Sequence, residues 1–128
     1  MEHGGTTANP VIVPVACPVR PDGAPKLSGA NAVRVKPGSR ASQIFRQEQI
    51  AEEYFCNYEV SRDYEDALET AGLRITGRGE AGEARIVELP EHRFFIATLF
   101  QPQLTSVAAR RPHPLLMEYL ATCRASEA

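Results

Sequence analysis

The order of apolar and polar positions along the chain predicts most of its elements. Residues 11–17 (Val-Ile-Val-Pro-Val-Ala-Cys) form a continuous apolar run, the pattern of a buried strand, although Pro14 lacks the N–H that a ladder requires. Residues 18–31 carry Pro18, Pro21, Gly23, Pro25 and Gly29 and predict a long loop. Residues 32–36 alternate apolar and basic side chains, as a half-exposed strand does. Pro37-Gly38 then turns the chain, and Ser39 is placed to cap a short helix over 40–46. Residues 50–60 carry aromatics and Val and read as a strand. Ser61 is the expected cap of a second helix, with Asp63, Glu65 and Asp66 in its first turns and Tyr64, Ala67, Leu68 and Ala71 on one face. Gly72 supplies its stop. Two strands, 73–77 and 84–89, flank a hairpin-like turn at 78–83. Residues 94–100 are the most apolar segment and are expected at the sheet centre. Pro112–Pro114 opens a last helix, with Leu115, Leu116, Tyr119, Leu120 and Cys123 on one packed face.

This alternation of strands and helices gives the α/β class. At 128 residues the chain suits one domain. The expected layout is a flexible N-terminal lead and loop over 1–30 and a folded domain over 31–128. The 14 basic and 16 acidic residues nearly balance, so charge gives no footprint for nucleic acid. No apolar run approaches the ~18 residues of a membrane span. The opening MEHGGTTANP has neither the basic start nor the apolar core of a signal peptide. Three widely spaced cysteines, Cys17, Cys56 and Cys123, suit a reduced, cytoplasmic setting.

Read one at a time, the residues offer little chemistry. The histidines, His3, His92 and His113, lie in a tail and two turns without partners at ligand spacing, so they read as surface residues and no metal site is expected. Cys56 stands among Glu52, Glu53 and Glu59, acids that disfavour a thiolate, and reads as a small packed side chain. Gly77-Arg78-Gly79 lacks the strand–loop–helix context of a phosphate loop, and no cofactor is implied.

Four segments taken together carry more: 57–60 (Asn-Tyr-Glu-Val), 68–77 (Leu-Glu-Thr-Ala-Gly-Leu-Arg-Ile-Thr-Gly), 86–98 (Ile-Val-Glu-Leu-Pro-Glu-His-Arg-Phe-Phe-Ile-Ala-Thr) and 99–103 (Leu-Phe-Gln-Pro-Gln). In order and spacing they resemble the C-terminal half of the glutamine amidotransferase domain of CTP synthase. That family shows R-Y-E-V, a helix ending near E-A-G-L, a V-E-L-P-x-H-x-F-F entry and then A-T-Q-F-H-P-E. His113-Pro114-Leu115-Leu116 stands for the P-L-F helix that follows. The likeness covers 50–122, is looser over 30–49, where Gly38-Ser39-Arg40 resembles a family turn, and is weak before that. Cys17 and Cys56 look more like a standalone group related to this C-terminal region, some members of which carry selenocysteine at the nucleophile position.

The resemblance implies a flavodoxin-like class I amidotransferase fold, of which this is the C-terminal half, with a mixed sheet flanked by helices. It also implies a mechanism in which a cysteine on a G-x-C-x-G elbow is served by the His and Glu of H-P-E, to hydrolyse glutamine and pass ammonia to a synthetase. The chain departs at each catalytic element. None of its cysteines lies in G-x-C-x-G, and Gln101 and Gln103 occupy the His and Glu positions. A glutamine amide is no base near neutral pH. Asn57 replaces the Arg that precedes Tyr-Glu-Val, so the implied ligand-binding segment is Asn57, Tyr58 and Glu59. Triad residues act as a unit, so loss of all of them predicts no ordinary glutaminase activity.

The reading is therefore a CTP synthase-related, amidotransferase-like pseudoenzyme. The alternative is the C-terminal part of a longer, selenocysteine-containing CTP synthase-like enzyme acting on glutamine or a related amide. An in-frame UGA read as a stop would place Met1 inside such a gene. The implied partners are a synthetase subunit or the missing amidotransferase half, and an open strand edge also suits a second copy.

Overall fold

In the computed structural model, residues 8–16 and 21–125 are described. The elements run β1 (Ile12–Pro14), β2 (Leu27–Val35), α1 (Arg40–Phe45), β3 (Gln49–Cys56), β4 (Tyr58–Val60), a 3₁₀ turn (Arg62–Tyr64), α2 (Glu65–Thr70), β5 (Arg74–Arg78), β6 (Ala84–Glu88), β7 (Ile96–Thr98), α3 (Pro102–Ala109) and α4 (Pro114–Ala125). The α/β class holds. Five strands form one sheet in the order β3-β2-β5-β6-β7, and β1 pairs with β4 in a separate ribbon. Where a mixed sheet was expected, every pairing among the described residues is antiparallel.

Local chemistry explains the elements. Ser39 Oγ accepts the Ser42 N–H at 3.0 Å, so it caps α1 as its position suggests. Gly38 and Gly72 take φ +76° and +97°, which a side chain would strain. Strand β3 alternates, and Ile50, Glu52 and Tyr54 face inward. The core gathers Val33, Val35, Phe45, Tyr54, Ile86, Phe100 and Leu115. Phe100 meets Phe45 and Tyr54 edge-on at 6.4 and 6.0 Å between ring centroids.

Several expectations are corrected. The loop expected over 18–31 gives way to β2 from Leu27, because residues 27–34 pair along nearly all of β3. The strand expected over 50–60 breaks at Asn57, and its end pairs with β1 instead. Ser61 makes no side-chain cap, since a 3₁₀ turn intervenes before α2. The 94–100 segment is a three-residue strand at the sheet's edge, not its centre; its apolar weight comes partly from Phe100, which leaves the strand to fill the core. Helix α3 was not anticipated, although Pro102 at its start is a usual opening signal. In α4 only Leu115 is buried, while Leu116, Tyr119, Leu120 and Cys123 are exposed. The end of the 11–17 run, with Cys17, lies outside the described residues, as does His3. No helix among the described residues is long and apolar enough to cross a membrane.

Candidate functional site

Of the residues singled out by sequence, Gln101 packs against β3 at one edge of the sheet, whereas Tyr58 and Glu59 lie in β4 of the separate ribbon. Gln101 precedes α3, and its backbone N–H donates to the Glu53 carbonyl at 2.9 Å. Its side-chain carbonyl accepts the Phe55 N–H at 2.7 Å, and its side-chain NH₂ donates to the Phe55 carbonyl at 3.3 Å. The amide therefore pairs with β3 as a neighbouring peptide would. One helical turn further, the Thr105 hydroxyl accepts the Glu53 N–H at 3.1 Å. Gln103 is exposed on α3 and makes no side-chain hydrogen bond among the described residues. The two glutamines thus point to different tasks, and neither supplies a base.

Residues 57–59 form the corner between β3 and β4. Asn57 is exposed and its side-chain carbonyl accepts the Lys26 N–H at 2.9 Å, while its backbone carbonyl accepts the Val15 N–H at 2.8 Å. Cys56 Sγ lies 3.4 Å from both the N and the O of Tyr58, which closes the corner. Glu59 pairs with Arg85 at 3.4 Å, and Arg85 also holds Glu83 at 2.7 Å and lies over the Tyr54 ring. Burial pushes the Tyr54 hydroxyl far above its ordinary pKa, against the opposing pull of Arg85. No hydrogen bond joins Gln101 or Gln103 to residues 57–59. Cys56 is half-buried and free, and among the described residues its sulfur hydrogen-bonds only to the Tyr58 backbone. Among the described residues no group of His, Cys, Asp and Glu is arranged to hold a metal ion.

Among the described residues one His–carboxylate pair stands out, and the sequence reading does not foresee it. His113 was expected at the surface, yet it is 2% exposed. Its Nε2 lies 2.9 and 3.0 Å from the two carboxylate oxygens of Glu52. Its Nδ1 accepts the Leu115 N–H at 3.2 Å, which leaves Nε2 as the nitrogen that donates to Glu52. Glu52 also accepts the Thr105 hydroxyl at 2.6 Å, and Ser106 Oγ accepts the His113 N–H at 3.0 Å. Both ring nitrogens are spent, so the imidazole has no lone pair left for a substrate, and the pair ties β3 to α3 and the start of α4. The inward alternation of Ile50, Glu52 and Tyr54 is the sequence signal that marked Glu52 as needing a buried partner.

Comparisons with known proteins fit this geometry. No family model matches the chain. It is 38% identical over 98 residues to CTP synthase of Chlamydia trachomatis serovar L2, a match covering 76% of this chain and 18% of that protein. CTP synthase of Syntrophus aciditrophicus is 34% identical over 122 residues, covering 93% of this chain and 22% of that protein. The chain thus spans about a fifth of the length of these curated relatives. Among solved structures, the glutaminase domain of Trypanosoma brucei CTPS with bound acivicin superposes with a TM-score of 0.77 at 26% identity, over 90% of this chain and 46% of that one. In sequence and in fold the chain is a relative of CTP synthase, built as part of its glutaminase domain, the class I glutamine amidotransferase fold.

Proposed function

We propose that the chain is an amidotransferase-like module, of cytoplasmic setting, that does not hydrolyse glutamine. The observation that carries this reading is Gln101. It stands where the family resemblance expects the catalytic histidine, and both ends of its amide are bound to the Phe55 backbone. A side chain so engaged can neither deprotonate a nucleophile nor return a proton to a leaving amine. On this view the module serves through binding, with Asn57, Tyr58 and Glu59 as its ligand-facing corner and a synthetase or the complementary amidotransferase half as its partner.

The test is ammonia release from glutamine at neutral pH, with the Gln101→His/Gln103→Glu variant run beside the wild type. Neither protein should release ammonia above the uncatalysed rate. Release by the wild type would sink the proposal.

A second reading is favoured by length. Because relatives extend far beyond the matched region, the chain would be the C-terminal part of a longer glutamine-dependent enzyme. Sequencing the DNA upstream of the Met1 codon decides this. A continuous frame encoding G-x-(Cys or UGA)-x-G supports the longer enzyme, and a frame without it removes that reading.

A further inference from the structure

On the side of the molecule formed by α1 and α4, a cleft of about 770 Å³ is walled by Arg40, Gln43 and Ile44, by Arg93 from the turn before β7, and by Glu118 and Thr122 of α4. Its two arginines are held in an unusual way. Arg40 donates through Nη1 to the Arg93 carbonyl and lies over the Phe94 ring, 5.7 Å from its centroid. Arg93 donates through Nη2 to the Thr122 carbonyl at 2.9 Å. Each guanidinium is therefore oriented by a neutral carbonyl, and neither has a carboxylate partner among the described residues. Arg74, Arg78 and Arg85, by contrast, each pair with a glutamate. A guanidinium has five N–H donors in a planar fork, so most of each fork remains for an anion.

The surroundings add cations and remove a competing acid. An adjoining hollow of about 380 Å³ shares Arg40 and Gln43 and adds Lys36, beside Arg74, whose charge Glu69 already engages. Its carboxylate, Glu88, is 4% exposed and already engaged. It accepts the Arg40 and Ala41 N–H groups at 3.0 and 3.2 Å and the Thr76 hydroxyl at 3.1 Å. Among the described residues Glu118 is the only carboxylate lining the larger cleft. On a chain of net charge −2, this is a local concentration of positive charge in a concave site of small-molecule size.

We infer that the α1–α4 cleft binds a small phosphate-bearing ligand, gripped by Arg40 and Arg93. Paired guanidinium forks suit the planar, multi-oxygen face of a phosphate, and a cleft rather than a stripe favours a small ligand over a nucleic acid. Neither Gln101 nor residues 57–59 line either hollow, so the inference stands independently of the glutamine reading.

Calorimetric titration with inorganic pyrophosphate and with inorganic phosphate tests it, using the full chain at low and at physiological salt. Saturable one-to-one binding is expected, tighter for pyrophosphate and weaker as salt rises. Arg93→Gln and Arg40→Met should each weaken it by about tenfold or more, a loss of about 1.4 kcal/mol. Glu118→Gln should tighten it severalfold. Arg93 is exposed, so its variant is expected to keep the wild-type circular dichroism and melting curve, and it remains informative if the half-buried Arg40 variant folds poorly. Arg111→Gln, outside the cleft, should bind as the wild type does. Absence of saturable binding by the wild type, or equal binding by the wild type and Arg93→Gln, would overturn the inference.

Discussion

At the scale of the residue, the Glu52–His113 pair shows why chemistry must be read from completed valences. A histidine beside a buried carboxylate has the composition of a general base, yet Leu115 already donates to its second nitrogen. The pair acts as a fastener between elements 61 residues apart in sequence. Removing one member leaves the other buried and without its main partner, which costs about 3 kcal/mol or more. His113→Ala is therefore expected to lower the urea midpoint sharply. No local pattern around His113 could have revealed this. Its neighbours are prolines that usually mark a surface turn, and its partner lies on a distant strand.

Two other carboxylates set the acid limit of stability. The Ile75 N–H, at 2.8 Å, holds the Glu69 carboxyl below its ordinary pKa, with help from Arg74. For Glu83, burial pushes the carboxyl up, but main-chain donors and Arg85 together outweigh it and the net shift is downward. A carboxyl lowered on folding contributes stability above its unfolded pKa and loses it as pH falls through the folded value. The wild type should therefore lose stability as pH falls below about 4.5, the ordinary glutamate value. A Glu69→Gln/Glu83→Gln variant should start less stable at neutral pH and show a flatter acid limb in denaturant titrations at stepped pH.

At the scale of the element, the boundaries set by backbone chemistry were legible and those set by partners were not. Ser39, Pro37-Gly38, Gly72 and Pro114 work through their own geometry, and each does what its position suggested. Strand β2 could not be delimited this way, because its first half is Leu-Ser-Gly-Ala-Asn, which becomes a strand only by pairing with β3. Nor does an apolar run state whether it lies at the centre or the edge of a sheet, which is why 94–100 was misplaced. Strand β5 carries a prediction of its own. A Cβ added at Gly77 would lie 2.5 to 2.7 Å from the Ile86 side chain, which is wholly buried. Gly77→Ala forces that packed core to move and should cost about 1–3 kcal/mol, read as a lower melting temperature.

At the scale of the whole molecule, the sheet has two ends of different character. At the β7 end, pairing is with β6 alone and spans three residues. At the β3 end, the outward-facing groups of Glu53 and Phe55 are already taken: Glu53 N–H by Thr105, Glu53 C=O by the Gln101 backbone, and both groups of Phe55 by the Gln101 side chain. Gln101→Ala should thus speed hydrogen exchange at the Phe55 amide while lowering stability by only about 1 kcal/mol, since the lost bonds are replaced by water. The consequence reaches assembly. A strand from another molecule can extend a sheet only where donors and acceptors stand free. Along Glu53 and Phe55, Gln101 and Thr105 act as a terminator of polymer growth, so a side-chain amide bound to the strand's backbone serves as protection against edge-to-edge aggregation.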